Sequence, residues 1–238
     1  MRAVPSRSIR FFDEQFRLQA EQHRYELNPF EQRALALLRG NVLDLGCGLG
    51  NLALAAAQQG CTVHAIDAAT AGVDDLRRRA HDAGLRVTSE VADIALYKIA
   101  ATYDCVVAIG LLMFFPRAAA IERLHALQAA VRPGGLAVVN VLIEGTSFLD
   151  MFEPGHYCLF GETELIEAFA GWDILASDIE SFPAPRDTVK RFATLVATKP
   201  GRSAAQAGAA RAGGENASRA VSASAACISD GSPGQCTR

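Results

Sequence analysis

No stretch of this 238-residue chain approaches the ~20 uncharged apolar residues that a membrane-spanning helix requires. The longest run, Cys105 to Phe115, is short and broken by Gly110. Neither sign of charge is in excess: 23 Lys and Arg stand against 26 Asp and Glu, a formal net charge of -3. That balance provides no electrostatic footprint for a nucleic acid or an anionic membrane surface, so the expected partner is a small molecule, with no nucleic acid and no membrane. Six cysteines (Cys47, Cys61, Cys105, Cys158, Cys227 and Cys236) form no C-x-x-C pair and no His-linked spacing. Neither a metal site nor a disulfide framework is expected of them, and most read as small core hydrophobes. Arg2, Arg7 and Arg10 are followed at once by Asp13 and Glu14, without a signal-peptide apolar region, and the chain reads as cytoplasmic. Aromatics are sparse at 7%, yet half of the residues are apolar, enough for one sizeable core.

Between Asn41 and Thr198 strand-like apolar runs alternate with helical patterns. This is the pattern of a mostly parallel sheet covered on both faces. Strands are expected near 41–45, 61–66, 86–91, 103–109, 136–142, 172–180 and 190–198, with helices near 50–59, 70–83, 117–131 and 162–170. In the third of these helices Ile121, Leu124, Leu127 and Val131 recur at helical spacing after Pro116, and Pro133-Gly134-Gly135 stops it. Residues 1–40 read as an N-terminal helical cover, two helices parted at Asn28-Pro29. The 41–199 region forms the α/β domain, and 200–238 forms a low-complexity tail. From Gly201 on Ala, Gly and Ser dominate, no aromatic occurs, and the tail carries 4 basic and 2 acidic groups. Its Asn216-Ala217-Ser218 triplet is a glycosylation pattern that a cytosolic chain would not present to the machinery.

The sharpest local signal is Val42-Leu43-Asp44-Leu45-Gly46-Cys47-Gly48-Leu49-Gly50, an apolar strand ending in a glycine turn that opens a helix. A dinucleotide fingerprint places its third glycine at the position of Asn51 here. Asp44 before the turn would repel a pyrophosphate and suits a ligand bearing an ammonium group. Asp67 closes the second strand 23 residues after Asp44, where a βαβ unit sets a carboxylate against two ribose hydroxyls; capping of the helix that starts near Thr70 is the plainer role. Asp93 follows the third strand and could accept from an exocyclic amine while Ile94 packs on the adenine ring. Three acids at successive strand ends outline a nucleoside site without phosphate.

The ordered set Asp44-x-Gly46-x-Gly48-x-Gly50, Asp67, Asp93 and Arg132-Pro133-Gly134-Gly135 resembles the class I S-adenosylmethionine-dependent methyltransferases. Within them, Leu112-Met113-Phe114-Phe115, Phe160-Gly161-Glu162-x-Glu164-Leu165 before Trp172, and Arg191 through Lys199 are similar to the tellurite-resistance methyltransferase family. That family's turn continues Arg-Asn-Ser, where this chain has Asn51-Leu52-Ala53, and its Glu-Leu-His segment is replaced by Ser181-Phe182-Pro183-Ala184. The resemblance implies a Rossmann-like, doubly wound sheet of seven mostly parallel strands with an antiparallel last strand. It also implies S-adenosyl-L-methionine as cofactor, held by Asp44, Gly46, Cys47, Gly48, Gly50, Asp67, Ala68, Asp93, Ile94 and Ile109.

At the end of the fourth strand, Ala108-Ile109-Gly110-Leu111-Leu112-Met113 offers neither a base nor an Asn/Asp-Pro-Pro-aromatic box. A methyl acceptor met there is expected to be soft, a sulfur, selenium or tellurium nucleophile; an oxygen or nitrogen acceptor is the alternative. His156, in the segment after the fifth strand, and Arg191 are the candidates for orienting an anionic acceptor. Phe11, Phe12, Phe16 and Tyr25 read as packing, Cys47 as a small residue in a tight turn, and Arg77-Arg78-Arg79 after Asp74-Asp75 as a solvated, ion-paired helix face. An NAD(P)-dependent oxidoreductase would share the architecture, but no Tyr-x-x-x-Lys pair is evident. A non-catalytic nucleoside-binding module is the third class.

Overall fold

The computed structural model describes residues 6–201. The tail from residue 202 on, with Cys227, Cys236 and Asn216, lies outside the described residues, as does Arg2.

Two helices come first, α1 (Arg7–Glu21) and α2 (Pro29–Leu35), and their separation is built at Asn28. The Asn28 side chain accepts from the Phe30 and Glu31 amides at 3.0 and 2.9 Å, and the Glu31 carboxylate accepts from the Asn28 amide at 2.8 Å. This reciprocal capping box, with Pro29 in the first turn, starts α2 where the chain would otherwise continue as coil.

The alternating unit then runs β1 (Asn41–Leu45), α3 (Asn51–Gln58), β2 (Thr62–Asp67), α4 (Thr70–Asp82), β3 (Val87–Val91), β4 (Tyr103–Ile109), α5 (Arg117–Ala130), β5 (Val131–Leu142), α6 (Glu164–Ala168), β6 (Asp173–Ala184) and β7 (Thr188–Thr198). A single 3-10 turn, Leu112–Phe114, follows β4. The seven strands form one sheet in the order β3-β2-β1-β4-β5-β7-β6. Neighbours among the first five are parallel, and β7 runs antiparallel to both β5 and β6. The strand order reverses between β1 and β4, and ligands of such sheets collect outside the carboxyl ends at that switch point.

Strand alternation sorts the core into two layers. Val42, Val63, Ala65, Cys105, Val107 and Val138 point to one face, packing with Ala34 and Leu38, Leu52 and Ala56 of α3, and Leu76 and Ala80 of α4. Leu43, Leu45, Ile66, Val106, Ala108 and Val139 point to the other face, under Leu124 and Leu127 of α5 and Leu165 of α6. Near-continuous apolar strands are what a sheet buried on both faces requires.

Two boundaries differ from expectation. β5 begins at Val131, directly after α5, because Arg132-Pro133-Gly134-Gly135 is a bulge inside the strand and not the linker after a helix. The register moves from Tyr103↔Val131 to Cys105↔Leu136 across it, and the Gly134 amide donates to the Lys199 carbonyl at 2.8 Å. β6 runs on to Ala184 because the β6–β7 hairpin outruns the sheet: β7 pairs with β5 from Phe192 on, but with β6 from Thr188.

Candidate active site

β1 delivers Asp44 and the glycine turn to the carboxyl edge. Gly46, Gly48 and Gly50 all have positive φ, at 79°, 55° and 69°, which lets the backbone double back within five residues. The turn's amides are engaged internally. Gly46 and Cys47 both donate to the Ile66 carbonyl at 2.8 and 3.0 Å, Gly50 donates to the Cys47 carbonyl at 2.8 Å, and Gly48 donates to Asp67 Oδ2 at 2.8 Å. A phosphate cradle needs such groups aimed at the ligand; here four of them are directed into the protein.

Asp67, at the end of β2, ties this turn to the next helix: its Oδ1 accepts from the Ala69 amide at 2.8 Å. The carboxylate still has acceptor capacity left for a ligand hydroxyl. Burial pushes its pKa up, opposed by backbone hydrogen bonds from Ala69, Gly48 and Ala68. Asp44 is 5% exposed, and its Oδ2 is buried without a hydrogen-bond partner. Burial first, then the charges of Glu31 and Asp67, raise the Asp44 pKa to about 8. An unpartnered buried carboxyl is costly, and a cation placed against it would offset that cost.

The other expected residues divide. Ala68 lines an open cleft of about 320 Å³ between α1 and the β2–α4 turn, together with Ile9, Asp13, Arg17 and Thr70. Ile109 is half-buried on the face that Asp44 shares. Cys47 is buried, with its Sγ 3.8 Å from the Gly48 carbonyl and its pKa raised well above the usual thiol value by burial. Asp93 is exposed and accepts from the Ala95 amide at 3.0 Å, capping the turn that follows β3. That turn folds Ile94 inward to 4% exposure, in the apolar cluster that holds Leu45 and Ile66.

His156 is exposed, its Nδ1 3.3 Å from the Pro154 carbonyl. The Arg191 guanidinium donates to the Glu144 carbonyl at 2.8 Å and to Glu162 at 2.6 Å, clamping the segment after β5.

The N-terminal helices reach further into the site than their sequence suggests. α1 lies over the glycine turn, where a Cβ added to Gly48 would come within 2.8 Å of the Phe16 ring. Asp13 Oδ1 accepts from the Ala71 amide at 2.8 Å, capping α4 from another helix. Phe12 meets Phe114 edge-on at 5.1 Å, and Phe114 leads to Phe152 and Tyr157. With Met113, Leu142, Phe148 and Met151 these rings form an apolar cluster beyond β4 and β5. Lys190 Nζ lies 4.6 Å from the Phe148 ring centroid, and burial lowers its pKa.

Arg79 escaped sequence reasoning because it sits in a run of three arginines. Arg77 pairs on the surface with Asp74, and the exposed Arg78 pairs with the buried Asp75. Arg79 is only 19% exposed; it pairs with Asp75 at 2.7 Å, donates to Asn51 at 3.2 Å and to the Leu49 carbonyl, and stacks 4.0 Å from the Tyr25 centroid. The spacing Asp75–Arg79 was the available signal.

Residues 42–135, which contain the glycine turn, Asp67 and Asp93, match the family described as a methyltransferase domain. That match places the β1–β5 segment among methyltransferase domains. Over 172 residues, 67% of this chain and 54% of the relative, the chain is 29% identical to Hemagglutinin 1 of Eikenella corrodens. Over 136 residues, 55% of this chain and 52% of the relative, it is 36% identical to the ubiquinone biosynthesis O-methyltransferase of Methylocella silvestris. It thus spans about half the length of these curated relatives. Among solved structures, TehB from Haemophilus influenzae shares the fold of this methyltransferase domain with a TM-score of 0.63 at 21% identity, covering 73% of this chain and 62% of TehB. No helix among the described residues is long and apolar enough to cross a membrane.

Proposed function

We propose that this chain transfers a methyl group from S-adenosylmethionine to a small, soft nucleophile of the sulfur, selenium or tellurium class. The observation that carries the donor assignment is Asp44: a buried carboxyl with an unpartnered oxygen, beside a glycine turn whose amides are already satisfied. That combination suits a cationic, phosphate-free nucleoside. Asp67 then accepts the ribose hydroxyls through its remaining lone pairs, and Ala68 borders the adenosine. When bound, the donor supplies a methyl group already activated by its sulfonium.

The chain's own task is alignment and exclusion of water, and orientation alone contributes ~7–11 kcal/mol to such displacements. α1 covers the turn with Phe16, and the Phe12, Phe114 and Phe152 rings wall the acceptor side. Such an apolar wall favours a polarisable acceptor that needs little proton removal. Lys190 sits against Phe148, where its positive charge would attract a thiolate or a chalcogen oxyanion. An oxygen acceptor is the second reading, favoured by the name of the Methylocella silvestris relative.

The test is turnover with a panel of thiophenol, 2-mercaptoethanol, selenite, tellurite, catechol and benzylamine, scored for methylated product. Chalcogen products support the proposal, and a clear preference for catechol or benzylamine rejects it.

A further inference from the structure

The N-terminal cover holds a group that sequence reasoning passed over. Val42 and Asp44 share one face of β1, and Val42 packs there with Ala34 and Leu38, at and just beyond the end of α2. Stepping two residues along β1 toward the carboxyl edge moves ~6.6 Å from Val42 to Asp44. One turn back along the same side of α2 moves ~4.5 Å from Ala34 to Glu31. The direction is set by Phe30, whose ring centroid lies 4.9 Å from that of Phe192, the partner of Leu142 at the carboxyl end of β5; Glu31, next to it, is carried toward the carboxyl edge and is half-buried. Its Oε2 is fixed by the Asn28 amide at 2.8 Å, which leaves Oε1 available. Asp44 Oδ2, on a residue 95% buried by the 5% exposure given above, has no partner.

We infer that Glu31 is a second carboxylate of the donor site, pairing with Asp44 around the ammonium of the donor's amino-acid end, so that α2 is part of the binding site. This assignment rests on the methyltransferase reading above. It is supported by the electrostatics: Glu31's own pKa is raised by burial, and its charge is a named cause of the rise at Asp44. Two desolvated acids that raise one another's cost of ionisation have a common remedy in a single cation.

S-Adenosylhomocysteine and 5′-methylthioadenosine share the adenosine and thioether, and only the first carries an amino-acid end, so the pair separates charge recognition from general integrity. Calorimetry on the full chain compares wild type, Glu31→Gln and Asn28→Ala. Gln retains the capping-box geometry while removing the charge. The expected result for Glu31→Gln is a loss of about ten-fold or more in S-adenosylhomocysteine affinity, with methylthioadenosine affinity changed less than two-fold. Asn28→Ala is expected to lower the melting temperature and leave the ratio of the two affinities intact. Parallel losses for both nucleosides in Glu31→Gln, or no loss for either, overturn the assignment. Wild type that binds methylthioadenosine but gains nothing from the amino-acid end overturns it too, while leaving the donor reading in place. Wild type that binds neither nucleoside overturns the parent reading and this one with it.

Discussion

With its pKa near 8, Asp44 is largely protonated at neutral pH while the site is empty. A cationic donor stabilises the carboxylate, so binding must expel a proton wherever the acid is still neutral. The fraction already ionised rises from about 1% at pH 6 to about 50% at pH 8. Donor affinity should therefore rise about fifty-fold over that interval, or about 2.3 kcal/mol. Glu31 and Asp67 are raised as well and push in the same direction. Calorimetry of S-adenosylhomocysteine at pH 6, 7 and 8, in buffers of different ionisation enthalpy, reads both the affinity and the number of protons released. Asp44→Asn should flatten the profile and reduce the proton count. A wild-type affinity that is level from pH 6 to 8, or an Asn variant that keeps the wild-type slope, refutes the reasoning.

Without ligand, the same group acts on stability in the opposite sense. Its folded pKa exceeds the ordinary 3.8, so its contribution is intact at low pH and is lost as pH rises toward 8. Asp44→Asn should then gain on wild type by up to about 4 kcal/mol between pH 5 and 8 in denaturant titrations, and a constant difference would contradict this. Gly72→Ala should lower the melting temperature although alanine favours helices by ~1 kcal/mol, because its Cβ would lie 2.4 Å from the Gly48 carbonyl oxygen; a raised melting temperature is the contrary result. Arg79→Lys loses the fork that joins Asp75, Asn51 and Leu49, and should weaken S-adenosylhomocysteine binding several-fold in the calorimeter. Arg191→Ala removes a half-exposed pair on the segment after β5, so donor affinity by the same assay should be unchanged. Lys190→Met should slow thiophenol turnover while leaving donor affinity as in wild type.

The fold was legible because each of its devices is local. Apolar strands, a glycine turn and helix stops repeat at short range and mark out seven strands, whereas the antiparallel course of the last one was implied by the family resemblance and not by any local pattern. Asp44 and Asp67 were legible for the same reason, since strand-end position fixes where a side chain emerges. The remaining parts of the site depend on contacts between distant segments. Phe16 on Gly48, Asp13 on the start of α4, and Arg79 on Leu49 and Tyr25 join residues that no periodicity relates. Arg132-Pro133-Gly134-Gly135 shows the limit from the other side: the motif was visible, yet a bulge and a linker are written with the same residues.

The insertion of β7 between β5 and β6 sets the order in which this molecule can be completed. Among the described residues β7, Thr188–Thr198, comes last in sequence and joins β5 to β6, so β5 lacks its outer neighbour and β6 has none until that strand is in place. A nascent chain halted before residue 188 would expose unpaired backbone along β5, an invitation to aggregation. Stop codons upstream of that point should therefore yield insoluble product, although every residue assigned to the donor has already been synthesised.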